Sequence, residues 1–261
     1  MVLSELNNHR FSRTVFETAN PLIKADHEYR KAHGREAEYP LDEFEFYILR
    51  VGNRLATLLY HCEQLEHNVL FLSNYRQTPS LSIAGINRTK YLRYSVENYI
   101  IRTQTLYDLV LKLIDSVFHL TNADSQCRDN TIVQNLKVKQ SKIPSLLKPL
   151  RKKLREFEIE RHVIIHRGGY QDKDLYHLEL LTVVEDSYHK SDDEGDRENI
   201  KYLREDKKHF EKDYIRVMKA KFSRFNSRVF HLLIEILSEL FEIYNKEQNR
   251  LTTLTGRSAQ Q

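Results

Sequence analysis

The chain has 261 residues, 40% of them hydrophobic and 30% charged, which suits a globular protein and excludes a collagen-like or disulfide-scaffold chain. Seven glycines and five prolines amount to roughly 5% of positions against roughly 12% in average usage, too few for an all-β fold that turns every 8–12 residues. A formal charge of +4 permits a nucleic-acid partner without demanding one, so the distribution of charge matters more than its sum.

Cys62 and Cys127 form neither a paired metal spacing nor a disulfide framework. The first ten residues contain no apolar core of a signal peptide, and no run of 18 apolar residues reads as a membrane span. The expected location is a reducing cytoplasm, without membrane attachment.

The first forty residues read as one or two short helices that form an N-terminal extension. After Pro40, Asp42 is placed to cap a long helix. Its apolar residues are Phe44, Ile48, Val51, Leu55, Leu58, Cys62, Leu65, Val69 and Leu72, one narrow stripe at alternating steps of four and three. Cys62 falls within that stripe and reads as a small core residue. A second long helix is predicted from about Thr89 to Leu120, with a stripe of Leu106, Val110, Leu113, Val117 and Leu120.

A third helix is predicted from near Ser145 to the Gly168-Gly169 pair, a C-terminal stop signal. Leu175–Val184 fits either a helix or a β-like segment. A fourth long helix covers about Lys207 to Lys246. Two charge blocks interrupt this pattern: eight basic residues and no acid from Lys137 to Arg155, and seven acids against two bases from Glu185 to Glu198. The first reads as a solvated helix face or a track for phosphates, the second as a solvated loop over 185–200. The expected architecture is all-α: one domain over the whole chain, a bundle of long, mostly antiparallel helices.

Most enzyme signatures are absent. The sequence has no glycine-rich phosphate loop, His-Glu-x-x-His, Cys-x-x-Cys or Gly-x-Ser-x-Gly. His61, Cys62 and His67 lack the spacing of a zinc site, so neither a metal nor a cofactor is expected.

What remains is Arg161-His162-Val163-Ile164-Ile165-His166-Arg167-Gly168-Gly169-Tyr170. An Arg-x4-His spacing also occurs at Arg204 and His209, inside a fully charged run that reads as a solvated helix face and serves as an internal control. The first pair has a different context. The stripe Leu147, Leu150, Leu154, Phe157 continues at its next step onto Arg161 and then Ile164, so an arginine stands where a leucine is expected. A guanidinium is costly to bury unpaired. The stripe must therefore supply an acidic partner, or face a cleft or an interface. His166 sits in the last helical turn, whose exposed carbonyls favour an imidazolium. Arg161 and His166 are about 140° apart on an ideal helix, so both can line a groove between two symmetry-related copies but not one narrow stripe.

Arg161-His162-x-x-x-His166 resembles the Arg-(Asn/Asp/His)-x-x-x-His motif of the HEPN superfamily of all-helical proteins. The segment Glu97 to Arg102, followed by Asp108, is similar to the helix that supplies polar residues facing that motif. As architecture, the likeness to a bacterial single-domain HEPN clade runs from about Phe44 to Tyr244. It implies a homodimer with its active site at the interface, acting as a metal-independent endoribonuclease, a toxin or defence effector with a cognate antitoxin. Arg161 would stabilise charge on the phosphorane, His166 would transfer the proton, and His162 would orient a phosphate or water. Gln104, Asp115 and His119 share one helical line with Glu97 and Asp108; the line reads either as the wet face of the helix or as a source of partners for Arg161 across the bundle, with Glu97 and Asp108 the candidates. Arg151, Lys152, Lys153 and Arg155 would guide the RNA backbone. Toxin-type relatives often carry a tyrosine at the position of Gly168; here the nearest is Tyr170. Two other readings compete: a catalytically idle HEPN module that binds RNA, a nucleotide or a protein, and a structural helical protein whose Arg161 completes an ion pair.

Overall fold

The computed structural model describes residues 2–188 and 194–257, and among them there are helices and no strand. In chain order the α-helices are α1 (Val2–Asn7), α2 (Arg10–His33), α3 (Glu43–Phe71), α4 (Pro79–Ile83), α5 (Arg88–Val117), α6 (Asp129–Gln134), α7 (Leu136–Lys139), α8 (Ile143–Leu154), α9 (Glu158–Arg167), α10 (Lys173–Tyr188) and α11 (Glu194–Leu254). The chain forms two compact units. One comprises Met1–Glu63, Thr105–Leu154 and Ser227–Gln261; the other comprises Gln64–Gln104 and Arg155–Asn226.

The start of α3 is set by its capping box. The Glu45 backbone N–H donates to Asp42 Oδ1 at 2.8 Å, and the Asp42 N–H donates to Glu45 Oε2 at 3.2 Å. From Ile48 to Leu72 the predicted stripe is buried, Cys62 included, while Phe44 lies half-exposed under the Arg257 guanidinium. In the first unit α2 approaches α3 closely at Gly52, where a Cβ would lie 3.2 Å from that of Ala19. Tyr47 donates to the Val117 carbonyl, and Arg50 pairs with Asp115 at 2.7 Å, so α3 and α5 run antiparallel there. Asp115 is 1% exposed and also accepts from the Asn122 amide, while His119 lies between Glu43 and Glu247. The C-terminal part of the polar line on α5, Asp115 and His119, is thus not a wet face; it is buried against Arg50, Asn122 and Glu247.

In the second unit, direction can be read from the side chains that meet. Asn98 of α5 donates to Asn68 of α3, and Asn226 of α11 donates to Glu66 of α3. Arg93 of α5 reaches Glu179 of α10 while the earlier Thr89 reaches the later Thr182, so these two helices are antiparallel. Arg88 pairs with Glu211, and eleven residues further along both helices the Tyr99 and Phe222 rings stack at 3.7 Å, so α5 and α11 run parallel. Helix α10 and this part of α11 therefore run in opposite directions.

Two expectations need correction, and one open alternative is decided. The third predicted helix is not continuous: α8 ends at Leu154, and a 3-10 turn over Arg155–Phe157 precedes α9. Three residues at 120° instead of 100° turn the next helix face by about 60°. Leu147, Leu150, Leu154 and Phe157 are therefore buried, whereas α9 buries no residue and Arg161 is exposed. The acidic stretch expected as a loop is helical at both ends, because Glu185 in α10 accepts from Arg204 at 2.8 Å and from Lys207 at 2.9 Å in α11. Residues 189–193, its middle, lie outside the described residues. The ambiguous Leu175–Val184 stretch is helix, with Leu175, Leu178 and Thr182 buried on one face.

Candidate functional site

Helix α9 presents the motif. It runs ten residues and stops at Gly168, which adopts the left-handed conformation at φ +84° and ψ +19°, as a helix-terminating glycine does. Arg161, His162 and His166 are all exposed. The two imidazoles, one turn apart, face each other with ring centroids at 4.7 Å. No carboxylate among the described residues pairs with Arg161. The control pair differs: Arg204 is bound to Glu185, and His209 lies 3.6 Å from Asp213 on an exposed face.

Glu97 belongs to the site, but not as the partner of Arg161. Its Oε1 accepts the Tyr170 backbone N–H at 2.7 Å, and the same carboxylate pairs with Arg93 at 3.8 Å. Arg93 donates to the Tyr170 carbonyl at 2.6 Å and to Glu179 at 2.7 Å. The hydrogen bond that Arg93 donates to Glu179 raises its guanidinium above the ordinary value, with the Glu179 and Glu97 charges acting in the same direction, so its charge is secure. An Arg93–Glu97 pair on α5 and Glu179 on α10 thus clasp the peptide groups either side of the Tyr170 Cα, four residues past His166. Asp108 is exposed, belongs to the unit that lacks the motif, and pairs with no side chain among the described residues. Within its own unit, Glu97 is thus engaged by Arg93 and the Tyr170 N–H and not by Arg161. Once α9 is turned out of the stripe, Arg161 is solvated and needs no buried counter-charge.

Tyr170 is 4% exposed, and its hydroxyl lies 3.4 Å from Asp172. Burial first, then the Asp172 charge, pushes its phenol well above the usual tyrosine range. It is held in place, buried, by the clasp on its backbone. The basic run divides. Arg151 pairs with Asp129 at 2.8 Å, Arg155 lies 3.6 Å from Glu158, and the exposed Lys152 makes no ion pair among the described residues, whereas Lys153 is half-exposed.

Beyond His166 the sequence reading missed a cleft of about 480 Å³, lined by Arg93, Arg167, Gly169, Asp172, Lys173 and Tyr176, among others. Tyr176 is 59% exposed. The one signal available was the charged and aromatic start of α10, which the helix-or-strand ambiguity obscured. Among the described residues no group of three or more His, Cys, Asp or Glu side chains is placed to hold a metal, and no helix is long and apolar enough to cross a membrane.

The family model for HEPN_Cthe2314-like HEPN matches residues 47–229, which contain the motif, the clasp and the cleft. No curated protein and no solved structure gives a significant match.

Proposed function

Because the chain belongs to the HEPN_Cthe2314-like HEPN family, we propose that it is an endoribonuclease that needs no metal. The observation that carries this reading is the exposure of Arg161, His162 and His166 together on a helix that buries none of its residues. Packing on α9 is carried by the half-buried Val163 and Ile164, so it gives no structural use to the exposed guanidinium or to the two imidazoles in ring contact.

RNA carries its own nucleophile. The ribose 2′-hydroxyl attacks the adjacent phosphorus in line, its proton passes to a base, and the 5′-oxygen of the next nucleotide leaves with a proton. The products are a 2′,3′-cyclic phosphate and a 5′-hydroxyl. Arg161 meets the negative charge that builds on the phosphorane with its forked N–H donors. His166 transfers the proton, a contribution of about 10²–10⁴-fold, and His162, in ring contact with it, orients a phosphate oxygen or water.

A second copy completes the site on this reading. Ile159 is 78% exposed on the row of His162 and His166, and Ile165 is 47% exposed one turn from Arg161. Leu180 and Val183 continue an exposed apolar row on α10. Isoleucines beside charged catalytic groups suit a face that is covered in the dimer. The partners are then RNA, a second copy and a cognate antitoxin, and the setting is a cytoplasmic toxin or defence effector.

The test is cleavage of a structured RNA in EDTA by wild type, Arg161→Ala, His166→Ala and the control His209→Ala. The first two substitutions are expected to lower the rate at least 10²-fold, with cyclic-phosphate ends on the wild-type products, while His209→Ala retains full activity. Equal rates in all four would sink the reading. RNA binding without cleavage by wild type would favour an idle HEPN module.

A further inference from the structure

The cleft that begins at the residue after His166 is built from groups of two kinds, those already engaged and those left free. Arg93 is taken up by Glu179, Glu97 and the Tyr170 carbonyl. Asp172 accepts the Leu175 backbone N–H at 2.9 Å, capping α10, and receives the Tyr170 hydroxyl. Arg167 and Lys173 are exposed and pair with no carboxylate among the described residues. Tyr176, on the first turn of α10, is 59% exposed. The unengaged groups are thus two cations and one aromatic face around about 480 Å³, a volume within the roughly 300–1,000 Å³ of small-molecule sites.

We propose that this cleft holds the RNA nucleotide next to the scissile one, its base stacked on Tyr176 and its phosphate between Arg167 and Lys173. Stacking on an aromatic face together with cations along the backbone is how single-stranded RNA is gripped without dependence on sequence. Chain connectivity sets the placement: Arg167 comes directly after His166, so a phosphate held here is a neighbour of the one being cleaved. This proposal rests on the ribonuclease reading for its substrate, and its test separates the two.

Titration calorimetry with uridine 5′-monophosphate and with ribose 5-phosphate, on wild type, Tyr176→Ala, Tyr176→Phe and Lys173→Ala, reads the cleft without any cleavage. The nucleotide is expected to bind about tenfold more tightly than the sugar phosphate. Tyr176→Ala removes that difference and Tyr176→Phe restores it, whereas Lys173→Ala weakens both probes and lessens their salt dependence. In RNA cleavage, Tyr176→Ala raises KM about tenfold and leaves kcat unchanged. Both side chains are exposed, so the variants are expected to fold. Nucleotide binding that persists with wild-type strength in Tyr176→Ala and Lys173→Ala overturns the proposal even if the enzyme cleaves RNA. Tyr176-dependent nucleotide binding by a protein that cleaves nothing upholds the cleft and rejects the ribonuclease.

Discussion

The two glycines just past His166 have different work. Gly168 adopts φ +84°, and nothing lies within 4 Å of where its Cβ would be, so an added methyl meets only the backbone cost of the left-handed conformation. That cost is about 1–2 kcal/mol for most residues and less for asparagine. Gly169 adopts φ +142°, and a Cβ there would lie 3.2 Å from Glu97 Oε1 and 3.3 Å from Arg93 Nη1. Neither side chain can give way freely, because the same two atoms hold the Tyr170 N–H and carbonyl. Gly168→Ala is therefore expected to lower Tm by roughly 2–4 °C per kcal/mol lost and to keep RNA cleavage. Gly169→Ala should lower Tm further and cut kcat as well, because it forces apart the clasp that fixes the end of α9. Thermal unfolding alongside initial cleavage rates checks both. If Gly168→Ala proved the more damaging of the two, the clasp would not be what positions the motif.

The start of helix α9 is anchored by one residue. Phe157, the last residue of the 3-10 turn, is 2% exposed, with ring centroids 6.0 Å from Tyr99, 6.0 Å from Phe222 and 4.8 Å from Phe225, and Lys221 lies 5.2 Å from the face of its ring. Since α9 itself buries nothing, this anchor and the Tyr170 clasp hold its two ends. Phe157→Ala is expected to cost about 3–5 kcal/mol in denaturant unfolding, and Phe157→Leu clearly less. RNA cleavage should fall in the same order, measured well below the unfolding midpoint so that lost structure and lost placement are separated. The same residue shows what the sequence could reveal. The Asp42 capping box, the buried stripe of α3 and the Gly168 stop are local features, and each was legible from spacing and residue type. The break at Arg155–Phe157 was not. No glycine or proline marks it, the apolar period runs straight through it, and what imposes it is a cluster of rings from residues far away in the chain. In the site, the Arg161-His162-x-x-x-His166 motif was legible as contiguous sequence. The clasp was not, because Glu97 has to be joined to Tyr170 and Glu179, and only packing makes those residues neighbours.

For the molecule as a whole, the net charge of +4 is too small to account for RNA affinity by itself, and part of the basic run from Lys137 to Arg155 is offset within the protein by Asp129 and Glu158. On the proposed ribonuclease reading, catalysis rests on how the few exposed groups are assembled. On one copy, Arg161 and His166 point about 140° apart around α9. A phosphorane needs both within hydrogen-bonding reach, which two facing copies of α9 provide if each site takes the arginine of one copy and the histidine of the other. This arrangement makes a sharp forecast for mixtures of inactive proteins. In a mixed dimer of Arg161→Ala and His166→Ala, one of the two shared sites contains both alanines, while the other contains an intact arginine and an intact histidine. Random exchange of subunits yields mixed dimers as about half of the total, so activity should return to at most about a quarter of wild type. Each variant alone stays inactive at every concentration. The measurement is RNA cleavage after co-incubation at a protein concentration and time that permit exchange, with a tagged subunit pulled down to confirm that mixed dimers have formed. If mixed dimers form and remain inactive, each copy uses its own Arg161 and His166. The exposed isoleucines of α9 would then need a different explanation from the one given by a shared site.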